Sequence, residues 1–240
     1  DRNEWLRANP SFPSRTSETA MLRMMKNLSA ESFLREGLGI WDLEESDSAI
    51  GNDLWAALVD RSGDRPHPIR LAVAASPDRV WWSVGMAGRR RDGTVHVEVI
   101  KSGRGHAWVA DYLVGVRRST RSRAPVVVAA KSSAAAVIPD LESAKVPVRK
   151  VFGPDIAVAD ARLVDAVLGE NPTLRHSGQR LLSVSVGAAR WSEKGRDVVL
   201  IGPGETDIAP LQAVSLAHWA LLSARRSTEK STAGKVVVMR

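Results

Sequence analysis

Residues 69–100 have the sequence IRLAVAASPDRVWWSVGMAGRRRDGTVHVEVI. Three apolar runs stand out in it, Ile69–Ala75, Trp81–Ala87 and Val95–Ile100, and the third alternates strictly between apolar and polar side chains, as a half-buried strand does. A polar turn at Arg89–Gly93 joins the second run to the third. The stretch therefore predicts an antiparallel meander of three strands.

The segments after this meander predict a mixed sheet. Trp108–Arg117 has apolar residues at helical spacing, and Pro125–Ala129 is a buried apolar strand that should lie parallel to a strand of the meander. Further elements are predicted as helices at Ser133–Ala144, Asp155–Leu168, Leu181–Ala189 and Leu211–Ala224 and a short strand at Val148–Val151. The fold class is therefore α/β, with an antiparallel meander, then parallel strands, and helices on the flanks.

Composition limits the class of protein. The 240 residues include no cysteine, which excludes disulfides and thiolate metal sites and favours a reducing compartment. No apolar run approaches the roughly 18 residues that a membrane span needs, and the N-terminus has no signal-peptide pattern, so we expect a soluble, cytoplasmic protein. The net charge of +7 favours polyanionic partners, and the alternative is a basic surface that is merely solvated.

Three regions are predicted along the chain. Residues 1–63 have a capped helical pattern and are interpreted as a connector segment. Arg65–Pro68 interrupts the chain with two prolines, and 64–224 is predicted to be the α/β domain. The tail, 225–240, is rich in charged and small polar residues and is predicted to be mobile as far as Gly234.

The order of elements is that of an RNase H-like (retroviral-integrase-like) fold. A series of short segments between Trp5 and Trp219 also resembles the C-terminal nuclease domain of tailed-phage large terminases. No single segment is specific, whereas the series is. The segments are Asn9–Ser11, Phe33–Trp41, Ser76–Arg79, Leu174–His176 and Thr206–Leu211.

The resemblance implies a role in packaging phage DNA. In that family an ATPase translocates double-stranded DNA, and the nuclease domain cuts it at the start and end of filling. This chain has no Gly-x-x-x-x-Gly-Lys-Ser/Thr phosphate loop, so the ATPase is expected to be absent from it. The implied partners are double-stranded DNA, the terminase ATPase domain, the portal and the small terminase subunit, with no membrane. The implied location is the host cytoplasm and not the mature virion.

The resemblance also implies a two-metal site that this sequence does not complete. Phosphodiester hydrolysis in this fold uses two Mg²⁺ or Mn²⁺ ions about 4 Å apart, held by carboxylates. The expected carboxylate positions fall at Ala74, Ala129 and Asp207. Alanine cannot coordinate a metal, and one carboxylate cannot bridge a pair of ions. We therefore expect an endonuclease whose activity is weak or absent, with no metal bound or one bound weakly.

Two further acids could contribute ligands. Asp78 follows Ala74 by four residues, and Glu205 precedes Asp207 by two. One hypothesis is a Mn²⁺-dependent endonuclease that uses Asp207 with Asp78 or Glu205. The competing interpretation is that Asp78 is a turn aspartate beside proline and that Glu205 faces solvent.

The two alanines have two candidate origins, engineering to trap a DNA complex or natural loss. Lys131, two residues after Ala129, favours natural loss. Its ammonium group could offset the negative field of Asp207 and of phosphate where no metal is bound. Lys131 is therefore also a predicted DNA-binding residue.

Two arginine clusters predict DNA binding that needs no metal. The turn is expected to project Arg89, Arg90 and Arg91, while Arg117 and Arg118 stand ahead of the buried strand. Guanidinium groups bind phosphate through paired hydrogen bonds, so binding should be electrostatic, salt-sensitive and largely independent of sequence. The alternative is that these arginines only keep the hairpin solvated.

Trp81 and Trp82 are adjacent in the predicted second strand. Trp81 and Trp82 point to opposite faces of a strand, so at least one should be buried.

The rival hypothesis, from another functional class, is a structural module that docks the motor, the portal or the small terminase subunit and has no direct DNA role.

Overall fold

The computed structural model describes residues 5, 9, 11–28, 33, 48–63, 66–194, 197–202 and 207–233. The chain divides into two compact units, residues 1–47 and residues 48–240. Within the described residues, no helix combines the length and the apolar composition that crossing a membrane requires.

The first unit has a small aromatic cluster. Helix α1 spans Glu18–Asn27, and its first turn is capped by Ser17, whose hydroxyl accepts a hydrogen bond from the amide of Ala20. Met21 of this helix is buried together with aromatic side chains of the same unit. The cluster consists of Trp5, Phe12, Met21 and Phe33.

The second unit is built on a six-stranded mixed sheet in the order β5-β4-β1-β2-β3-β6. The strands are β1 (Ile69–Ala75), β2 (Trp81–Arg89), β3 (Val95–Arg104), β4 (Val126–Ala129), β5 (Val148–Val151) and β6 (Leu174–His176). Strands β1 to β3 form an antiparallel meander, and β4, β5 and β6 are parallel to their neighbours. The predicted α/β class, with a meander followed by parallel strands, is confirmed.

Helices cover both faces of this sheet. They are α2 (Asn52–Ala57), α3 (Val109–Thr120), α4 (Ile138–Ser143), α5 (Gly153–Leu168), α6 (Arg180–Ala188) and α7 (Ala209–Ala233), with a 3₁₀ helix at Ser133–Val137. A two-stranded hairpin, β7 (Arg190–Lys194) with β8 (Asp197–Ile201), precedes α7. Residues of β1 alternate between the two layers: Val73 packs in the core that includes Leu113 of α3, and Ala72 packs in the core that includes Val214 of α7.

Helix α7 lies very close to the centre of the sheet. A Cβ atom on Gly85 of β2 would be 2.4 Å from the carbonyl carbon of Ala213 and 2.5 Å from its oxygen. No side chain fits in that space, so glycine at this position allows the helix backbone to lie directly against the strand. This contact brings the start of α7 onto the same face as the ends of β1 and β4.

Several element limits differ from those predicted. Strand β6 and the β7–β8 hairpin were not predicted, and the helix expected at Ser133–Ala144 begins as a 3₁₀ helix. The predicted end of the last helix at Ala224 is wrong, because α7 continues to Ala233. After Pro210 in its first turn, no glycine or proline occurs in the chain before Gly234, so nothing in the sequence stops this helix earlier.

The first unit ends well before the predicted limit of the connector at Gly63. Trp55 of α2 is buried in the core of the second unit, and its indole nitrogen donates a hydrogen bond of 3.2 Å to the hydroxyl of Ser183. The segment from Ser48 onward is therefore part of the α/β unit. The functional division into connector, nuclease-like domain and tail stays a prediction.

Candidate functional site

The three positions expected to carry metal ligands come together at one edge of the sheet. Strands β1 and β4 are parallel neighbours, with Val73 opposite Val128. Continuing this register by one residue places Ala74 beside Ala129, at the carboxyl ends of both strands. Both alanines lie on the face covered by α7, and Asp207 lies two residues ahead of the first residue of that helix.

Both alanines sit in apolar surroundings. Ala74 is 5% exposed and packs in a small buried cluster with Ala209 and Ala213 of α7. Ala129 is 6% exposed and belongs to the larger core beneath the same helix. These two positions therefore contribute methyl groups to packing and no side-chain oxygen to a metal.

Asp207 has a structural role that can be seen directly. Its Oδ1 accepts a hydrogen bond of 2.7 Å from the amide of Ala209, one of the first amides of α7, which have no partner within the helix. The side chain is half-buried, and burial raises the pKa of Asp207 above its usual value; the nearby charge of Asp78 raises it further, and the Ala209 amide opposes both. The carboxylate thus caps the start of the helix.

Asp78 is held in the turn between β1 and β2. Its Oδ1 accepts hydrogen bonds from the hydroxyl of Ser76 and from the amide of Val80, the latter at 2.9 Å. The Ser76 hydroxyl and then the Val80 amide hold the pKa of Asp78 below its usual value, and the charge of Arg104 adds to this. Asp78 thus has the hydrogen bonds of a turn aspartate, its charge also reaches Asp207, and its role as a metal ligand stays a prediction.

A cleft of about 430 Å³ opens beside Asp207. Lys131 is exposed at the cleft and forms no ion pair with Asp207. The cleft is lined by Ala75, Pro77, Lys131, Ser132, Ser133, Ile201, Gly202, Asp207, Ile208, Ala209 and Gln212. Glu205, the other predicted ligand, lies outside the described residues.

Among the described residues, one of the three expected metal-ligand positions has a carboxylate. Mg²⁺ and Mn²⁺ require several oxygen ligands around each ion. Within the described part of the chain, no group of three or more histidine, aspartate or glutamate side chains could hold a metal ion. The charge of Asp78 reaches Asp207, but Ala74 and Ala129 provide no side-chain oxygen at the two other expected ligand positions.

The arginine turn lies at the opposite edge of the sheet. In the β1–β2 pair, Ile69 is opposite Gly88, whereas Ala75 is opposite Trp82. A strand of this length spans about 20 Å, so the turn that follows β2 is about that far from Ala74. A single phosphate group therefore cannot contact both the cleft and the arginine turn.

Two of the three turn arginines are also engaged within the protein. Arg90 is buried, pairs with Asp60 at 2.8 Å and donates to the hydroxyl of Ser62. The prediction that the turn projects three guanidinium groups is therefore wrong for Arg90, because Asp60 gives its charge a partner inside the fold. Arg89 donates to the carbonyl of Gly93 at 2.8 Å, and Arg91 is exposed.

The second arginine cluster is also remote from the cleft. Arg117 and Arg118 end helix α3, which leads into the amino end of β4, whereas Lys131 at the cleft follows the carboxyl end of that strand. Arg117 is half-buried and donates to the carbonyl of Ala124, while Arg118 is exposed. Among the predicted DNA-binding residues, only Lys131 lines the cleft.

Sequence reasoning missed Arg104, which stands near the cleft edge. The predicted third strand stops at Ile100, because Lys101–Arg104 has no apolar residue, but β3 continues to Arg104 and pairs it with Trp81. The register of the hairpin was the available signal. Counting equal numbers of residues from the turn pairs Trp81 with Gly103 and so extends β3 beyond Ile100, and a register shift between Val84 and Gly85 moves the pair to Arg104.

Comparison with known proteins identifies the fold. The sequence matches no protein-family model and no curated protein. The crystal structure of the large terminase of bacteriophage HK97 matches with a TM-score of 0.60 at 14% identity, covering 92% of this chain and 54% of that one. This chain thus spans about half the length of that terminase. It has the RNase H-like fold of a large terminase nuclease domain, as the sequence resemblance implied.

Two isolated nuclease domains also match. The large terminase nuclease of thermophilic phage G20c with bound magnesium has a TM-score of 0.46 at 13% identity, covering 71% of this chain and 96% of that nuclease. A mutant nuclease domain of the large terminase subunit of bacterial virus Sf6, with manganese, has a TM-score of 0.45 at 14% identity, covering 72% and 98%. Those two nucleases were solved with divalent metal ions.

Proposed function

We propose, from the terminase nuclease fold of this chain, that it is a nuclease-like domain that acts in phage DNA packaging. It binds double-stranded DNA, and its metal site lacks two of the three expected carboxylates. The observation that carries this proposal is the meeting of Ala74, Ala129 and Asp207 at one sheet edge beside an open cleft. This geometry supports a nuclease-like arrangement of the ends of β1 and β4 beside the start of α7. Two of the three expected carboxylates are absent from it, because alanine stands at both strand ends. Endonuclease activity is therefore weak or absent.

DNA binding at the cleft would rest on electrostatics. Lys131 is exposed there, and Asp207 does not neutralise it through an ion pair. An ammonium group in this position attracts phosphate and compensates the negative field of Asp207 without a metal. Arg89, Arg91, Arg117 and Arg118 stand on the far edge and would form a second, separate contact with the backbone of a longer duplex.

Nicking of supercoiled plasmid with Mg²⁺ and with Mn²⁺ tests the depleted site. We expect no cutting by the unmodified chain and by Asp207→Ala, and cutting by the double variant Ala74→Asp, Ala129→Asp. Because Ala74 packs against Ala209 and Ala213, circular dichroism must show that the double variant is folded. Cutting by the unmodified chain that disappears in Asp207→Ala and in either Asp78→Ala or Glu205→Ala would instead favour the Mn²⁺-dependent endonuclease.

Duplex binding tests the DNA role. We expect Lys131→Glu to weaken duplex binding and to reduce the slope of log affinity against log salt by about 1, as loss of one phosphate contact does. Arg118→Glu, a charge change of the same size on the far edge, should have a smaller effect on a short duplex. No salt-dependent binding by the unmodified chain would favour the docking module over a DNA-binding domain.

A further inference from the structure

One side chain at the cleft edge is not used by the proposed function. Trp81 is 45% exposed, whereas its neighbour Trp82 is completely buried and donates its indole N–H to the carbonyl of Arg79 at 2.9 Å. Trp82 is opposite Ala75, the last residue of β1, so Trp81 lies just beyond the carboxyl end of that strand. The exposed indole is thus at the same edge of the sheet as the cleft.

A guanidinium group lies beside this indole. Arg104 is the cross-strand partner of Trp81, and its guanidinium carbon is 5.8 Å from the centre of the Trp81 ring. Arg104 is exposed, and its charge also reaches Asp78. An exposed aromatic ring next to a cation is the combination that stacks nucleobases and pairs with the phosphates between them.

The turn before Trp81 is held by several hydrogen bonds. The amide of Trp81 donates to the Ser76 hydroxyl at 2.9 Å, and the amide of Ser76 donates to the carbonyl of Trp81 at 2.8 Å. The hydroxyl of Ser133 donates to the carbonyl of Pro77 at 3.1 Å, which ties the turn to the cleft wall. A side chain presented on such a backbone loses little further freedom when a ligand binds.

We propose that Trp81 and Arg104 form a stacking site for an unpaired base of DNA, so that the domain binds single-stranded or frayed DNA at the edge of the cleft. This inference rests on the proposed DNA-binding function and adds a ligand class to it. Base stacking does not depend on the identity of the base, because every base has a π face. The site therefore retains strands without selecting a sequence.

Fluorescence anisotropy with an oligothymidine of about 12 nucleotides and with a blunt duplex of the same length tests the site. Trp81→Ala should lose roughly 5- to 100-fold in affinity for the single strand, and Trp81→Phe should lose less, since its ring still stacks. Duplex affinity should be nearly the same in both variants. Trp191→Ala is the matched control, because Trp191 is 41% exposed and has no cation over its ring among the described residues.

The outcomes separate the two proposals. Absence of duplex binding by the unmodified chain overturns the proposed function. Intact duplex binding with an unchanged single-strand affinity in Trp81→Ala, or with an equal loss in Trp191→Ala, overturns only the stacking site.

A crosslinking experiment on the unmodified chain does not depend on the folding of any variant. Single-stranded DNA that carries 5-iododeoxyuridine should photocrosslink to the peptide containing Trp81. Crosslinks confined to other peptides would overturn the stacking site.

Discussion

Asp160 of α5 accepts a hydrogen bond of 2.7 Å from the hydroxyl of Ser215 of α7, and both side chains are buried. Its other carboxylate oxygen accepts a hydrogen bond of 3.0 Å from the amide of Leu200 in β8. One carboxyl group therefore connects two helices and the hairpin. Burial raises the pKa of Asp160 to about 6, although both hydrogen bonds oppose the rise.

Asp160 should make the free energy of unfolding depend on pH. An unfolded aspartate titrates near 3.9, so between about pH 4 and pH 6 the folded state holds a proton that the unfolded state has released. Stability should fall by about 3 kcal/mol as pH rises through this window and then level off. Asp160→Asn should abolish the fall, because its amide can accept from Leu200 and donate to Ser215. Urea unfolding from pH 4 to pH 7 measures this.

The control for that prediction is Asp165→Asn, which changes an exposed carboxyl on the same helix. This variant should keep the pH dependence of the unmodified chain. An equal loss of the slope in both variants would show that burial of Asp160 is not its source.

His218 should have the opposite effect. It is 1% exposed, its Nδ1 has no hydrogen-bond partner among the residues that the structure describes, and burial lowers its pKa to about 4, with the charges of Arg162 and Arg89 adding to the shift. An unfolded histidine titrates near 6.5, so its contribution to stability is full above that pH and is lost as pH falls toward 4. Relative to the unmodified chain, His218→Leu should therefore gain about 2 kcal/mol between pH 7.5 and pH 5. A stability difference that does not change with pH would contradict this.

The meander was predictable because its pattern is local, whereas strand β6 was not. The alternation of apolar and polar side chains in Val95–Ile100 predicts a strand by itself. Leu174–His176, in contrast, is a strand of three residues that depends on partners distant in the sequence. It pairs with β3, and the His176 ring stacks on Trp55 with centroids 3.9 Å apart. Short sequences of this kind carry no periodicity, so only the assembled sheet defines them.

The sequence predicted where the candidate site lies, but not how the charged side chains around it are paired. Parallel strands β1 and β4 place Ala74 and Ala129 at one edge, and this follows from their order in the sequence. The same topology places the turn after β2 at the opposite end of the strands from Ala74 and Ala129. The sequence therefore already implied that the arginine cluster in this turn is separate from the site. The pairing of Arg90 with Asp60 could not be inferred, because it joins segments that the sequence pattern does not relate.

Two glycines should respond to alanine in opposite directions. At Gly85 a Cβ atom would meet the backbone of Ala213, so Gly85→Ala should destabilise the protein by about 2 kcal/mol or more. Gly115 lies within α3 with no atom in the way of a Cβ, and Gly115→Ala should stabilise by about 0.5–1 kcal/mol. Urea unfolding of both variants measures the difference, and equal effects would show that α7 is not pressed against β2.

Asp207 should contribute to stability whether or not the domain cuts DNA. Its Oδ1 caps the amide of Ala209, so Asp207→Ala should cost about 1 kcal/mol in the free energy of unfolding, whereas Asp207→Asn keeps the acceptor and should cost only a few tenths. Measuring unfolding and plasmid nicking on the same two variants separates capping from catalysis. The proposed function predicts no nicking by the unmodified chain, so nicking that is present there and lost equally in both variants, with stability lost only in Asp207→Ala, would overturn it and assign the carboxylate charge to the chemistry. Equal stability of the two variants would show that the hydrogen bond to Ala209 does not hold the start of α7.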